Sequence, residues 1–136
     1  MKKLVFIIED SPIQQKMLRV HFEEMLGNYE VKTFADPDDM FEHIKDKPFA
    51  IVLDHFFNDK KEKNGLDYLR EIRKKHKSIP VIYYTSLDDE KIRTEVLALG
   101  AEEFIIKNSA SLVRLRTALD AIHSRKRSFF TKIFGH

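Results

Sequence analysis

The amino-acid sequence predicts an α/β fold: a doubly wound, five-stranded parallel sheet in the order 2-1-3-4-5, with helices on both faces. Three observations lead there. Short runs rich in Val, Ile, Phe and Tyr alternate with stretches of helical spacing. Parallel strands joined by helices must cross right-handed and be covered on both faces. The runs are apolar on both sides, as strands buried in such a sheet are. Most of them end at a polar residue, where open α/β sheets place their ligands.

The elements follow in order. Residues 4–8 are a β-branched and aromatic first strand. Ser11 and Pro12 then suit the N-cap and first position of a helix, with Gln14 placed to close a capping box. Ile13, Met17 and Val20 recur at i, i+4, i+7, as do Leu18, Phe22 and Met25, and Gly27-Asn28 stops the helix. Residues 30–34 read as a less buried second strand. Asp36-Pro37 repeats the cap-then-proline start, and Met40, Phe41 and Ile44 form a short helical face. Residues 49–53 are the third strand, ending at Asp54. Residues 58–64, with the lysines at 60, 61 and 63, are a solvated loop by composition. Leu66, Leu69 and Ile72 mark the next helix. Pro80 opens a fourth strand over 81–84, which ends at Thr85-Ser86. Ile92, Val96 and Leu99 lie on a helix stopped by Gly100. Residues 104–106 are the fifth strand, ending at Lys107. Leu112, Leu115, Leu119 and Ile122 share a face of the last helix, and Phe129 and Ile133 continue that spacing.

Composition bounds the function. With 136 residues, 43% hydrophobic and 34% charged, the chain reads as one folded domain able to bury a core. The absence of cysteine excludes a disulfide framework, a thiolate metal site and a cysteine nucleophile. No apolar run approaches the ~18 residues of a membrane span, and the run after Met1-Lys2-Lys3 is too short for a signal peptide, so a cytoplasmic location is expected. The net charge of +2 is uneven: residues 1–122 carry 20 basic and all 22 acidic residues, whereas residues 123–136 carry four basic residues and no acid. The body is therefore not expected to bind nucleic acid. The six histidines show no metal-ligand spacing, and His55 reads as a surface loop residue.

The polar residues at strand ends carry the chemistry. They are Glu9 and Asp10, Asp54, Thr85 and Ser86, and Lys107. In the expected strand order they converge. Three neighbouring carboxylates repel unless a hard cation such as Mg²⁺ joins them. A hydroxyl and an ammonium opposite suit a phosphoryl group, whose transfer needs mainly positioning and charge neutralisation. A carboxylate in that setting can accept it as an acyl phosphate.

These residues stand in the motifs Ile7-Ile8-Glu9-Asp10, Ile51-Val52-Leu53-Asp54, Val81-Ile82-Tyr83-Tyr84-Thr85-Ser86, Gly100-Ala101 and Ile105-Ile106-Lys107. Taken together, over residues 3 to about 123, they resemble the response regulator receiver domain of two-component signalling, chemotaxis-regulator-like and flavodoxin-like in its three-layer αβα fold. The resemblance implies Asp54 as phosphoacceptor and Mg²⁺ held by Asp10, by Glu9 largely through water, by Asp54 and by the Phe56 backbone carbonyl. It implies Thr85 and Phe104 as switch residues, Lys107 as the partner of Asp54 and then of a phosphoryl oxygen, and Ser86 as a small residue leaving the donor room. The implied donor is a sensor histidine kinase or histidine phosphotransfer protein. The implied output is a downstream protein bound on the face of the fourth helix, fifth strand and fifth helix. Asn108 stands where the family usually has proline, the loop after Asp54 is longer, and His55-Phe56-Phe57 is unusually bulky. Phe56 and Leu87, two residues past Asp54 and Thr85, are poorly suited to orient water, so slow dephosphorylation is expected.

Residues 1–123 are expected to form a stand-alone receiver with no output domain in this chain, and 124–136 a basic, aromatic extension of the last helix or a disordered tail. That tail is a candidate for partner, homodimer or anionic-membrane contact. Two other readings compete: a phosphorylation-independent interaction module of the same fold, and an aspartyl-nucleophile phosphatase. The phosphatase would usually place a second acid where Phe56 stands.

Overall fold

The apolar runs pair as parallel strands in the computed structural model, which describes residues 2–57 and 62–134. β1 is Lys3–Ile8, β2 Tyr29–Phe34, β3 Ala50–Leu53, β4 Val81–Thr85 and β5 Glu103–Ile106. They form one sheet in the order β2-β1-β3-β4-β5, as the alternation of elements predicts. Its register sets Ile8 beside Leu53, Leu53 beside Tyr83 and Thr85 beside Ile106, which brings the residues following β1, β3 and β5 to one end.

Successive strand residues point to opposite faces, and two cores result. Val5, Ile7, Val52, Ile82 and Tyr84 face α1 (Pro12–Arg19) and α5 (Ser111–Phe134), burying Leu18, Phe22, Leu115, Leu119 and Ile122. Phe6, Ile8, Ile51, Leu53, Val81 and Tyr83 face α2 (Pro37–Glu42), α3 (Gly65–Lys75) and α4 (Glu90–Ala98), burying Met40, Leu69, Ile72 and Val96.

The starts follow from capping. Ser11 accepts the Gln14 N–H and Pro12 stands in the first turn of α1. Gln14 does not close a capping box, and its Oε1 has no partner among the described residues. Gln15 instead donates to the Glu9 carbonyl at 2.5 Å. α3 opens on a full capping box between Asn64 and Asp67. At the other end of α3, Arg73 donates to the carbonyls of Ile79, Leu99 and Gly100, tying it to the end of α4. Gly100 sits at φ 84°, a conformation glycine tolerates and other residues resist.

One element differs from expectation. The first helix continues as a π-helical segment, Val20–Leu26, closed by a Gly27 N–H to Phe22 carbonyl bond. Of its two apolar series, one, Ile13, Met17 and Val20, is exposed, and in the other Leu18 and Phe22 are buried while Met25 is exposed. The last helix runs unbroken to Phe134, so the basic, aromatic segment is helical as far as it is described. The expectation of a solvated loop falls partly on residues 58–61, which lie outside the described residues.

Candidate functional site

Glu9, Asp54 and Lys107 meet at the carboxyl end of the sheet. Asp54 follows β3 and Glu9 follows β1, and the pairing of Ile8 with Leu53 places the two carboxylates side by side. Both are buried, Glu9 at 3% and Asp54 at 6% exposure. Lys107, following β5, donates to Glu9 Oε2 at 2.7 Å and Asp54 Oδ2 at 3.0 Å. Its backbone N–H bonds the Thr85 carbonyl, which fixes where the side chain begins. The other carboxylate oxygens are also held: Asp54 Oδ1 accepts the His55 N–H at 2.6 Å and Glu9 Oε1 the Ser11 N–H at 3.1 Å.

One ammonium serves two buried acids. Burial pushes the Glu9 carboxyl up to about 7, and the Asp54 charge adds to this against the Lys107 hydrogen bond. Burial alone would lower the Lys107 ammonium, but the Glu9 bond and the Asp54 charge hold it above its ordinary value. The pocket is therefore short of positive charge.

The remaining predicted residues fall around this cluster. Thr85 is fully buried, and its Oγ1 accepts the Leu87 N–H, which leaves its hydroxyl proton to donate. Ser86 is exposed and part-exposed Asp10 lies beside Glu9. Phe56 is half exposed. Phe104 is buried, stacked on Tyr83 with centroids 5.5 Å apart. No peptide bond among the described residues is cis, so Lys107–Asn108 is trans. Asn108 shapes the loop instead. Its Oδ1 accepts the Ala110 N–H, and its carbonyl accepts the Ser111 N–H and hydroxyl.

His55 corrects the sequence reading: it is buried at 7% exposure rather than a surface loop residue. Its Nδ1 lies 2.5 Å from the Tyr83 hydroxyl, and its carbonyl accepts the Gly65 N–H at 2.8 Å. These bonds draw the segment after Asp54 against the end of the sheet. A Cβ at Gly65 would strike the Asp54 carbonyl and the Tyr83 hydroxyl, so only glycine permits this approach. Burial lowers the His55 imidazole despite Asp54, Asp67 and Asp89, and burial raises the Tyr83 phenol, so both are neutral near pH 7. Sequence reasoning missed Tyr83; the glycine at the start of α3 was its one trace.

The donors near Lys107 are oxygens, which fit a hard divalent cation. Asp10, Asp54, Glu9 and the Phe56 carbonyl could supply them. Among the described residues no three carboxylate or imidazole side chains form a ready-made cage. Mg²⁺ does not require one, because it keeps several waters, and a cation would offset both the burial that chiefly raises Glu9 and the neighbouring Asp54 charge that adds to it.

The fold and this cluster define an open α/β protein with an acidic, lysine-bridged site at a carboxyl strand edge. A family model described as the response regulator receiver domain matches residues 5–120. Among similar proteins, the probable C4-dicarboxylate response regulator DctR of Halalkalibacterium halodurans is 28% identical over 116 residues, 85% of this chain and 49% of that protein. The cyclic di-GMP phosphodiesterase response regulator RpfG of Xanthomonas campestris is 26% identical over 96% of this chain and 37% of its own length. The chain thus spans half or less of these relatives. Among solved structures, the receiver domain of a putative LuxO repressor from Vibrio parahaemolyticus superposes with a TM-score of 0.77 at 23% identity, covering 100% of both chains. The CheY of a CheX–CheY–BeF3–Mg²⁺ complex from Borrelia burgdorferi gives 0.76 at 21% identity over 89% of both. The chain belongs to the response regulator receiver domain family, the phosphoacceptor modules of two-component systems.

Proposed function

We propose that Asp54 accepts a phosphoryl group from a phosphohistidine on a sensor kinase or histidine phosphotransfer protein. The observation that carries this reading is the Lys107 ammonium held between two buried carboxylates at the strand edge. An Asp54 carboxylate oxygen attacks phosphorus in line, the N–P bond breaks, and the imidazole departs with its electron pair. The product is an acyl phosphate. Lys107 then has a phosphoryl oxygen in place of Asp54 Oδ2, and the Thr85 hydroxyl proton has an acceptor. Ser86 is small and exposed, which leaves the donor room to approach. Asp10, Glu9, Asp54 and the Phe56 carbonyl would hold Mg²⁺, which supplies neutralisation of the charge on the phosphoryl oxygens. Mg²⁺ in the Borrelia burgdorferi complex supports the use of that metal.

Two surfaces suit the partners. An apolar concavity of about 430 Å³, lined by Ile13, Met17, Val20, Met25 and Leu112, begins one helical turn from Asp10 and suits the phosphodonor. A second, of about 440 Å³ between α4, β5 and α5, has Phe104, Arg93 and Arg114 in its lining and suits the downstream target. There the switch would be read, as Thr85 and Phe104 settle toward the phosphorylated site.

Incubation with radiolabelled acetyl phosphate and Mg²⁺ tests the reading. The expected result is stoichiometric labelling, lost in Asp54→Asn and with EDTA. Full labelling of Asp54→Asn, or none of the unaltered chain, would overturn it.

A further inference from the structure

The end of the molecule opposite Asp54 carries a second built surface. The later part of α5 passes the amino end of the sheet there, with Lys126 and Phe129 beside the segments that lead into β3 and β4. Lys126 donates to the Phe49 carbonyl and lies 4.7 Å from the Phe49 ring centroid. Phe129 faces Ser78 and Pro80. The stripe of α5 that buries Leu115, Leu119 and Ile122 continues through Lys126, Phe129 and Ile133, with Phe130 and Phe134 at its flank. All four apolar residues beyond Lys126 are more than half exposed. Phe129 with Ile133, and Phe130 with Phe134, are two i,i+4 ridges, the relief onto which another helix packs.

The floor beside this wall is basic. A concavity of about 810 Å³ carries six lysines, Lys2, Lys3, Lys47, Lys75, Lys77 and Lys126, and one acid, Asp46, around an apolar base that includes Phe49 and Pro80. Asp46 is engaged by Lys32. Among the described residues Lys2, Lys47 and Lys77 have no ion-pair partner. The concavity shares Ser78, Pro80 and Lys126 with the pocket under Phe129, so floor and wall form one corner.

We propose that this corner docks an acidic amphipathic helix of a partner protein, apolar face on the α5 ridges and carboxylates over the lysine floor. Charge complementarity and the separation of apolar wall from basic floor match such a helix. A flat bilayer fits poorly. The lysines line a concavity, which a flat surface cannot follow. A second copy fits poorly too, since it would bring lysine floor and basic tail against their like. A nucleic-acid strand would need a row of free stacking rings along its phosphate path, whereas the one phenyl ring among the lysines, Phe49, is already covered by Lys3 and Lys126.

The test titrates the full chain into a fluorescein-labelled peptide of about 18 residues with leucines on one helical face and glutamates on the other. Controls are a scrambled peptide of the same composition, phosphatidylserine vesicles and a single-stranded oligonucleotide. Expected are saturable binding, at least about tenfold preference over the scramble, and amide shifts confined to residues around Phe49, Pro80 and 126–134. Lys47→Glu with Lys77→Glu, and separately Phe129→Ser with Ile133→Ser, should each weaken binding at least about tenfold, a hot-spot loss. Acetyl phosphate labelling of these folded variants should be unchanged. Equal binding of the scramble, shifts elsewhere, tighter binding of vesicles or oligonucleotide, or no binding at millimolar peptide would overturn the proposal.

Discussion

At the residue scale, Glu9 and Lys107 make the site a pH-dependent element of stability. The Glu9 carboxyl has an ordinary value of 4.5 in the unfolded chain and about 7 in the folded one. Between those values the folded protein binds the extra proton. The stabilisation is full below the unfolded value and is lost as pH rises through about 7, up to about 3 kcal/mol across the interval. Urea unfolding with EDTA present should therefore show the midpoint falling from pH 5 to pH 8, and Glu9→Gln should flatten the profile. An unchanged profile would show that Glu9 is not the group responsible. Tyr83→Phe leaves His55 Nδ1 buried without its partner and should cost about 1–3 kcal/mol by the same assay. These two sites also mark what could be read in advance. Glu9, Asp54 and Lys107 were legible because each ends an apolar run in a sheet of known strand order. The His55–Tyr83 bond was not, because it joins residues distant in sequence and no local pattern records their meeting. A histidine following an acid looks the same whether the chain turns outward or inward.

At the element scale, four of the strands were legible from continuous apolar runs and the second from its less buried alternation, and the helix starts at Ser11 and Asp36 from a cap residue followed by proline. The first helix misled because two apolar series lie along it. Periodicity cannot say which one meets the sheet, and the π-helical turn from Val20 rotates the later residues further. The consequence is functional. Ile13 is 81% exposed and Met17 40%, an apolar surface one turn from the site. If the phosphodonor rests there, Ile13→Glu with Met17→Glu should slow phosphotransfer from a histidine phosphotransfer protein at least about tenfold. Labelling by acetyl phosphate, which needs no docking surface, should be unchanged. Rapid-quench comparison of the two donors separates the effects, and equal slowing with both would place the damage in the site itself.

At the scale of the whole molecule, α5 joins the two ends. It begins beside Lys107, where Ser111 bonds Asn108 and lies 2.9 Å from the Tyr84 hydroxyl, and it finishes over the lysine floor, anchored by the Arg125–Glu102 pair. In the proposed reading, a phosphoryl group on Asp54 would bias a partner surface for as long as it survived, and its lifetime would be set by the attack of water. Such an attack is assisted when a side chain can take the water's proton or orient it. Phe56 is half exposed beside Asp54 and offers only a ring, and Leu87, whose N–H is engaged by Thr85 Oγ1, offers only methyl groups. Neither can do this work, so the acyl phosphate should persist for many minutes after the donor is removed. Replacing the ring by a carboxylate in Phe56→Glu places a proton acceptor at the same position. Hydrolysis should then accelerate about tenfold or more, the modest end of what positioned proton transfer contributes, because the geometry is not optimised. Loss of radiolabel from isolated phosphoprotein measures both rates. A native half-life of seconds, or a Phe56→Glu rate equal to the native one, would show that water is oriented by some other group.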